Sequence, residues 1–177
     1  AYEHAGDDFQ PDMITFAKGV NAGYAPLGGI VMTQAIRDTF GSEAYSGGLT
    51  YSGHPLAVAP AKAALEIYAE GEIIPRVARL SAELIEPRLR ELAEENVAIA
   101  DVRGIRFFWA VEFNADATAM AAGAAEFKER GVWPMISGNR FHIAPPLTTT
   151  DDELVALLDA VEAAAQAVEL TFAGALF

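Results

Sequence analysis

Apolar and polar positions divide the chain into two stretches of different rhythm. Up to residue 71 the apolar runs are short and separated by glycine. "MITFA" (13–17) lies between Pro11-Asp12 and Gly19, and "GGIVMT" (28–33) repeats the pattern, so both read as buried strands. "QAIRDTF" ends at Gly41 as a short helix, and "SEAYSGGLTYSGHP" (42–55) is a polar, glycine-rich loop. Pro55 suits the first turn of the helix that follows, whereas Pro60 is expected to kink that helix near its start.

From Glu72 the period changes. Ile74, Val77, Leu80, Leu84, Leu89 and Leu92 recur at near-helical spacing opposite a charged face, which predicts one long amphipathic helix. "VAIADVRG" and "IRFFWAVEF" read as successive strands, "ATAMAAGAAEFKERG" as a helix, and "VWPMI" and "RFHIAP" as two more strands. A closing helix begins after Thr150, a natural N-cap followed by acidic residues. The change of rhythm places a boundary between residues 1–71, a part of a larger α/β layer, and 72–177, a small α+β unit. Two or three strands before residue 71 are too few for a sheet covered on both faces, so the chain is expected to be the later part of something longer.

Composition narrows the function. The 177 residues are 52% hydrophobic and 21% charged, which suits a packed globular chain. Twelve basic against 25 acidic residues give a net charge of −13, which argues against nucleic acid or an anionic membrane as partner. No cysteine is present, and His4, His54 and His142 have no metal-ligand spacing. No secretory signal is visible, and no apolar run approaches the roughly 20 residues of a spanning helix. The reading is a cytoplasmic α/β chain.

Two places carry chemistry. Lys18 stands at the end of the first strand, where alternation would put it on one face with Ile14 and Phe16. Such a lysine is either an exposed, snorkelling strand end or, if desolvated, a nucleophilic amine. "SGGLTYSGHP" is either a capped glycine loop or a set of N–H and hydroxyl donors for a phosphate, with Thr50 and Ser52 contributing. No Walker motif is present. An amine and a phosphate cradle about thirty residues apart together meet the needs of pyridoxal phosphate, which is held through an aldehyde and a phosphate.

"PDMITFAKGVNAGYAPLGGIVMT" and "GLTYSGHPLAVAPAKAALE" resemble the lysine region and the threonine loop of class III (omega) aminotransferases. "VRGIRFFWAVEF" and "RFHIAPPLTTTDDEL" resemble two C-terminal segments of that family in the same order. The resemblance implies a fold type I enzyme dependent on pyridoxal 5'-phosphate, represented by the end of its large domain and its small domain. It implies that Lys18 bonds the cofactor, that Thr50 binds its phosphate across a homodimer interface, and that Leu49 lends backbone contacts. Many relatives place an arginine just before "PPL" to pair with a substrate carboxylate. Here His142 stands at that place with Arg140 two residues earlier, on the same face if 140–144 is a strand. The implied substrates are an amine or omega-amino acid and a keto acid such as pyruvate. The family's pyridine-nitrogen aspartate, ring-stacking aromatic and N-terminal glycines belong to segments before residue 1, so the isolated chain is expected to be inactive. An aminomutase or decarboxylase of the same fold type, and a non-catalytic dimerisation module, remain open.

Overall fold

A computed structural model describes residues 5–174, apart from 7 and 42; His4 and residue 42 of the glycine-rich loop lie outside the described residues. The chain divides into two compact units, one up to Gly71 and the other from Glu72.

In the first unit, β1 (Met13–Phe16) pairs antiparallel with β2 (Gly29–Met32), Phe16 facing Gly29 and Met13 facing Met32. A short helix, α1 (Gln34–Thr39), follows β2, and α2 (Pro55–Ala69) closes the unit. The strands are not buried as their composition suggests. Met13, Ile30 and Val31 are each more than half exposed, because the sheet has only these two strands among the described residues. Asn21 and Ala61 are the only buried described residues of this unit. α2 starts with Pro55 in its first turn, capped by His54, whose Nδ1 accepts from the Leu56 N–H at 3.2 Å. It runs as one helix with Pro60 inside it, the position at which the sequence predicts a kink.

The second unit is an antiparallel sheet in the order β3–β4–β6–β5, with helices on one face. Its strands are β3 (Ile99–Ile105), β4 (Phe108–Phe113), β5 (Met135–Ser137) and β6 (Arg140–Ile143). Trp109, Val111, Phe113, Phe141 and Ile143 point inward and are essentially inaccessible. Against them pack α5 (Ala117–Glu129) and α6 (Asp151–Gly174). α6 contributes Leu154, Leu158, Val161, Ala165 and Val168, one face at helical spacing. At Gly123 of α5 a Cβ would lie 2.6 Å from the Phe141 ring and 3.0 Å from the Ala164 carbonyl oxygen. Only glycine lets the two helices approach that closely.

The long helix after residue 72 is made of α3 (Ile73–Leu80) and α4 (Glu86–Glu95), joined without a break by a π turn over Ser81–Ile85. Pro87 has no N–H for the carbonyl of Glu83, and its ring would crowd that carbonyl in a regular α-helix. The wider turn, with the Glu86 N–H donating to the Ser81 carbonyl, relieves this. Its extra residue moves the buried stripe to Val77, Leu80, Ile85, Leu89 and Leu92. Ile85, not Leu84, is therefore the fully buried side chain, and Ile74 is exposed. The strand boundary near residue 104 also moves. Gly104 lies inside β3, where a Cβ would meet the Trp109 ring at 2.4 Å. The turn is Arg106-Phe107, with Arg106 at φ 56°.

Thr150 caps α6 through a reciprocal pair: its N–H donates to Glu153 Oε2 at 2.8 Å, and the Glu153 N–H donates to Thr150 Oγ1 at 3.3 Å. The backbone and side-chain bonds from Thr150 hold the Glu153 carboxyl below its ordinary value. A depressed carboxylate pKa stabilises the fold above the unfolded value and loses that effect as pH falls through the folded one. Glu153→Gln should therefore be less stable than the parent near neutrality. The gap in thermal unfolding should close as pH drops well below about 4.3, the ordinary glutamate value. A gap independent of pH would remove Glu153 from the cap.

Candidate functional site

Lys18 does not lie in the strand. β1 ends at Phe16, Ala17 is extended, and Lys18 opens a 3₁₀ turn, Lys18–Asn21, with φ 53°. Face alternation with Ile14 and Phe16 therefore does not reach it. A lysine in the left-handed region costs about 1–2 kcal/mol, which surrounding contacts must offset. The side chain is exposed and forms no hydrogen bond or ion pair among the described residues. The other two lysines differ from it in setting: Lys62 pairs with Glu66 on α2, and Lys128 is exposed in the last turn of α5.

Thr50 and Leu49 are exposed in the loop before α2. The Ser52 N–H donates to the Leu49 carbonyl at 2.9 Å, and the His54 N–H to that of Tyr51 at 3.2 Å. The Thr50 hydroxyl has no partner among the described residues. A cavity of about 400 Å³ separates this loop from Ala25–Gly28 and is lined by Leu49, Tyr51, His54 and Leu56. Neither Lys18 nor Thr50 lines it.

In the second unit, β6 alternates as the sequence pattern predicts. Phe141 and Ile143 enter the core, while Arg140 and His142 stand half-buried on the other face. Arg140 faces Glu112 across the β4–β6 pair. That carboxylate is already engaged by Arg103, whose guanidinium donates to it at 2.6 Å and also reaches Asp101 at 2.5 Å. The Arg103 hydrogen bond, with smaller contributions from the Arg103 and Arg140 charges, holds Glu112 below its ordinary pKa. Arg140 Nε is buried with no hydrogen-bond partner among the described residues, and so is His142 Nδ1. His142 lines a groove of about 950 Å³ walled by Phe108, Trp133, Met135 and Pro145, its ring 6.2 Å from that of Phe108. Two polar atoms on one sheet face are thus left without partners, an unusual condition for buried nitrogen. The Asp101–Arg103–Glu112 set was not anticipated from the sequence, although its members alternate along two adjacent strands.

Comparison with known proteins bears on the chain as a whole. Over 93% of its length the chain superposes, with a TM-score of 0.85 and 30% identity, on 40% of a taurine:2-oxoglutarate aminotransferase from Bifidobacterium kashiwanohense, solved with pyridoxal phosphate and glutamate. An amine transaminase from an uncultivated Pseudomonas species, also solved with pyridoxal phosphate bound, gives 0.80 and 33% identity over 88% of this chain and 38% of that one. In sequence, the mitochondrial gamma aminobutyrate transaminase 1 of Solanum lycopersicum is 29% identical over 85% of this chain and 32% of its own. The fold is thus α/β, part of a fold type I transferase. Residues 1–165 match the family Aminotransferase class-III, and the chain belongs to that family, whose enzymes use pyridoxal phosphate. It spans about a third to two fifths of the length of these relatives. Lys18 and Thr50 offer a free amine and a free hydroxyl, a donor set that fits the cofactor's aldehyde and phosphate.

Proposed function

We propose that the protein carrying this chain is a pyridoxal-phosphate-dependent aminotransferase that moves an amino group from an amine or omega-amino acid to a keto acid such as pyruvate. The observation that carries the reading is Lys18, an unpaired lysine held in a strained turn within a chain of this family. The bound cofactor supplies an aldehyde and an electron sink. Lys18 would hold it through its amine and would serve as the base and acid that moves a proton to and from the substrate carbon. Thr50 holds the phosphate in a second subunit, with Leu49 adding backbone contacts. Its hydroxyl is free for this, and its loop lines a cavity that excludes Lys18. On this reading residues 1–71 end a cofactor domain, 72–177 form the small domain, and the enzyme acts as a homodimer. A cysteine-free, acidic chain suits the cytoplasm, and among the described residues no helix is long and apolar enough to cross a membrane.

Arg140 recognises the substrate carboxylate, with His142 beside it. The support is the unpaired Arg140 Nε and a neighbouring Glu112 already occupied by Arg103. A guanidinium gives carboxylate a planar two-point match that a neutral imidazole does not. Arg140→Ala should raise KM for an omega-amino acid and for pyruvate at least about tenfold, the loss of one charge-assisted hydrogen bond, and leave simple amines unaffected. Equal losses for charged and uncharged donors would assign Arg140 a structural role. The reaction itself is tested by incubating the holoenzyme with an amine and pyruvate. Keto product and alanine should appear in equal amounts; carbon dioxide or an isomerised amine would identify a decarboxylase or aminomutase.

A further inference from the structure

We propose that Asn21 is a positioning residue for Lys18, fixing through its side-chain amide the turn that presents the amine. The inference rests on the assignment of Lys18 as the cofactor-bearing lysine. Asn21 is 1% exposed, the only buried polar residue described in its unit, and it ends the turn that Lys18 begins. That turn rests on α2, the helix that carries Ala61, the unit's other buried residue.

The backbone here is held by three successive bonds: Val20 N–H to the Ala17 carbonyl at 3.3 Å, Ala22 N–H to Gly19 at 3.1 Å, and Tyr24 N–H to Asn21 at 3.2 Å. Along it, Lys18, Ala22 and Gly23 all take positive φ, at 53°, 53° and 79°. Glycine adopts such angles freely, but lysine and alanine do not. Something outside the local backbone must hold them there. The Asn21 amide does so from the inside, with Nδ2 donating to the Ala25 carbonyl at 2.5 Å and closing the loop across four residues. Without that bond Ala22 is free to return to the right-handed region. The backbone of Lys18, joined to it by the same ladder of turns, would follow.

A second buried asparagine shows what a purely structural amide looks like. Asn96 Nδ2 donates to the Ala165 carbonyl at 3.0 Å, and its Oδ1 accepts from the Ala98 N–H at 3.0 Å, so both ends are used. Asn21 uses only its donor; Oδ1 is buried and unpaired. Burying Oδ1 without a partner costs stability whatever the donor does, so the bond to Ala25 is what the amide contributes at this place.

The test uses the holoenzyme that contains this chain, with Asn21→Leu and Asn21→Ala, which remove the donor, and Asn21→Ser, which keeps one. Borohydride reduction and peptide mapping are run first on the parent. In both donorless variants kcat should fall about ten- to a hundredfold, the cost of a misplaced reacting group. KM for the amine should change less, and the visible circular dichroism of the bound cofactor should weaken. Asn21→Ser should recover part of both signals. If Asn21→Leu does not fold, Asn21→Ala decides alone. Donorless variants with parental kcat and dichroism, while the label maps to Lys18, would overturn the role of Asn21 and spare that of Lys18. A serine variant indistinguishable from alanine would reduce Asn21 to packing. A label on another lysine would overturn the Lys18 assignment and this inference with it.

Discussion

Lys18→Ala in the cofactor-loaded protein is expected to lower kcat for amino transfer by about 10²–10⁴-fold through loss of proton transfer alone. Loss of the attachment point adds to this, and the absorbance of the lysine-bound cofactor should give way to that of the free aldehyde. The lysine lies in a turn at φ 53°, exposed, with no acid paired to it among the described residues. Nothing among the described residues uses it for stability, so the variant freed of cofactor should keep the unfolding midpoint of the equally cofactor-free parent. A small amine added to the assay should restore part of the proton transfer. If Lys18→Ala retained its rate while Lys62→Ala or Lys128→Ala lost theirs, the site would have to be moved.

The largest effect on stability is expected at Phe141. Its ring is fully buried between Phe113, 4.7 Å away, and Phe127, 5.0 Å away and edge-on. It also fills the space that Gly123 leaves between α5 and α6. Phe141→Ala would leave a cavity bounded by a sheet and two closely packed helices, which have little room to collapse. The cost should be about 3–5 kcal/mol, a large part of the roughly 5–15 kcal/mol that holds a domain together. Urea unfolding should show a lower midpoint with an unchanged slope. A loss below about 1 kcal/mol would mean that the surroundings close over the gap. Because Phe141 shares β6 with Arg140 and His142, loosening it should also weaken the carboxylate recognition proposed for them.

Much of this was legible in residue patterns, and the exceptions have specific causes. Thr150 with acidic residues behind it announced a helix start, and the structure shows the capping pair. The apolar stripe after residue 72 announced a helix, but a constant period cannot register the residue that Pro87 forces into a π turn, so Leu84 was read for Ile85. The pattern divides "VAIADVRG" from "IRFFWAVEF" just after Gly104. Here the glycine makes room for the Trp109 ring, while the true turn, Arg106-Phe107, has no turn chemistry to reveal it. Lys18 was visible as one charge among apolar and glycine residues. Its left-handed backbone was not, because periodicity says nothing about the sign of φ. Asn21, a polar residue in the same stretch, was as visible as Lys18, but only its burial and its bond to Ala25 give it meaning.

Borohydride reduction of the holoenzyme followed by peptide mapping should give a single reduced adduct in the peptide around Phe16–Asn21, on Lys18, if Lys18 bears the cofactor. An adduct on Lys62 or Lys128, or none within this chain, would contradict it.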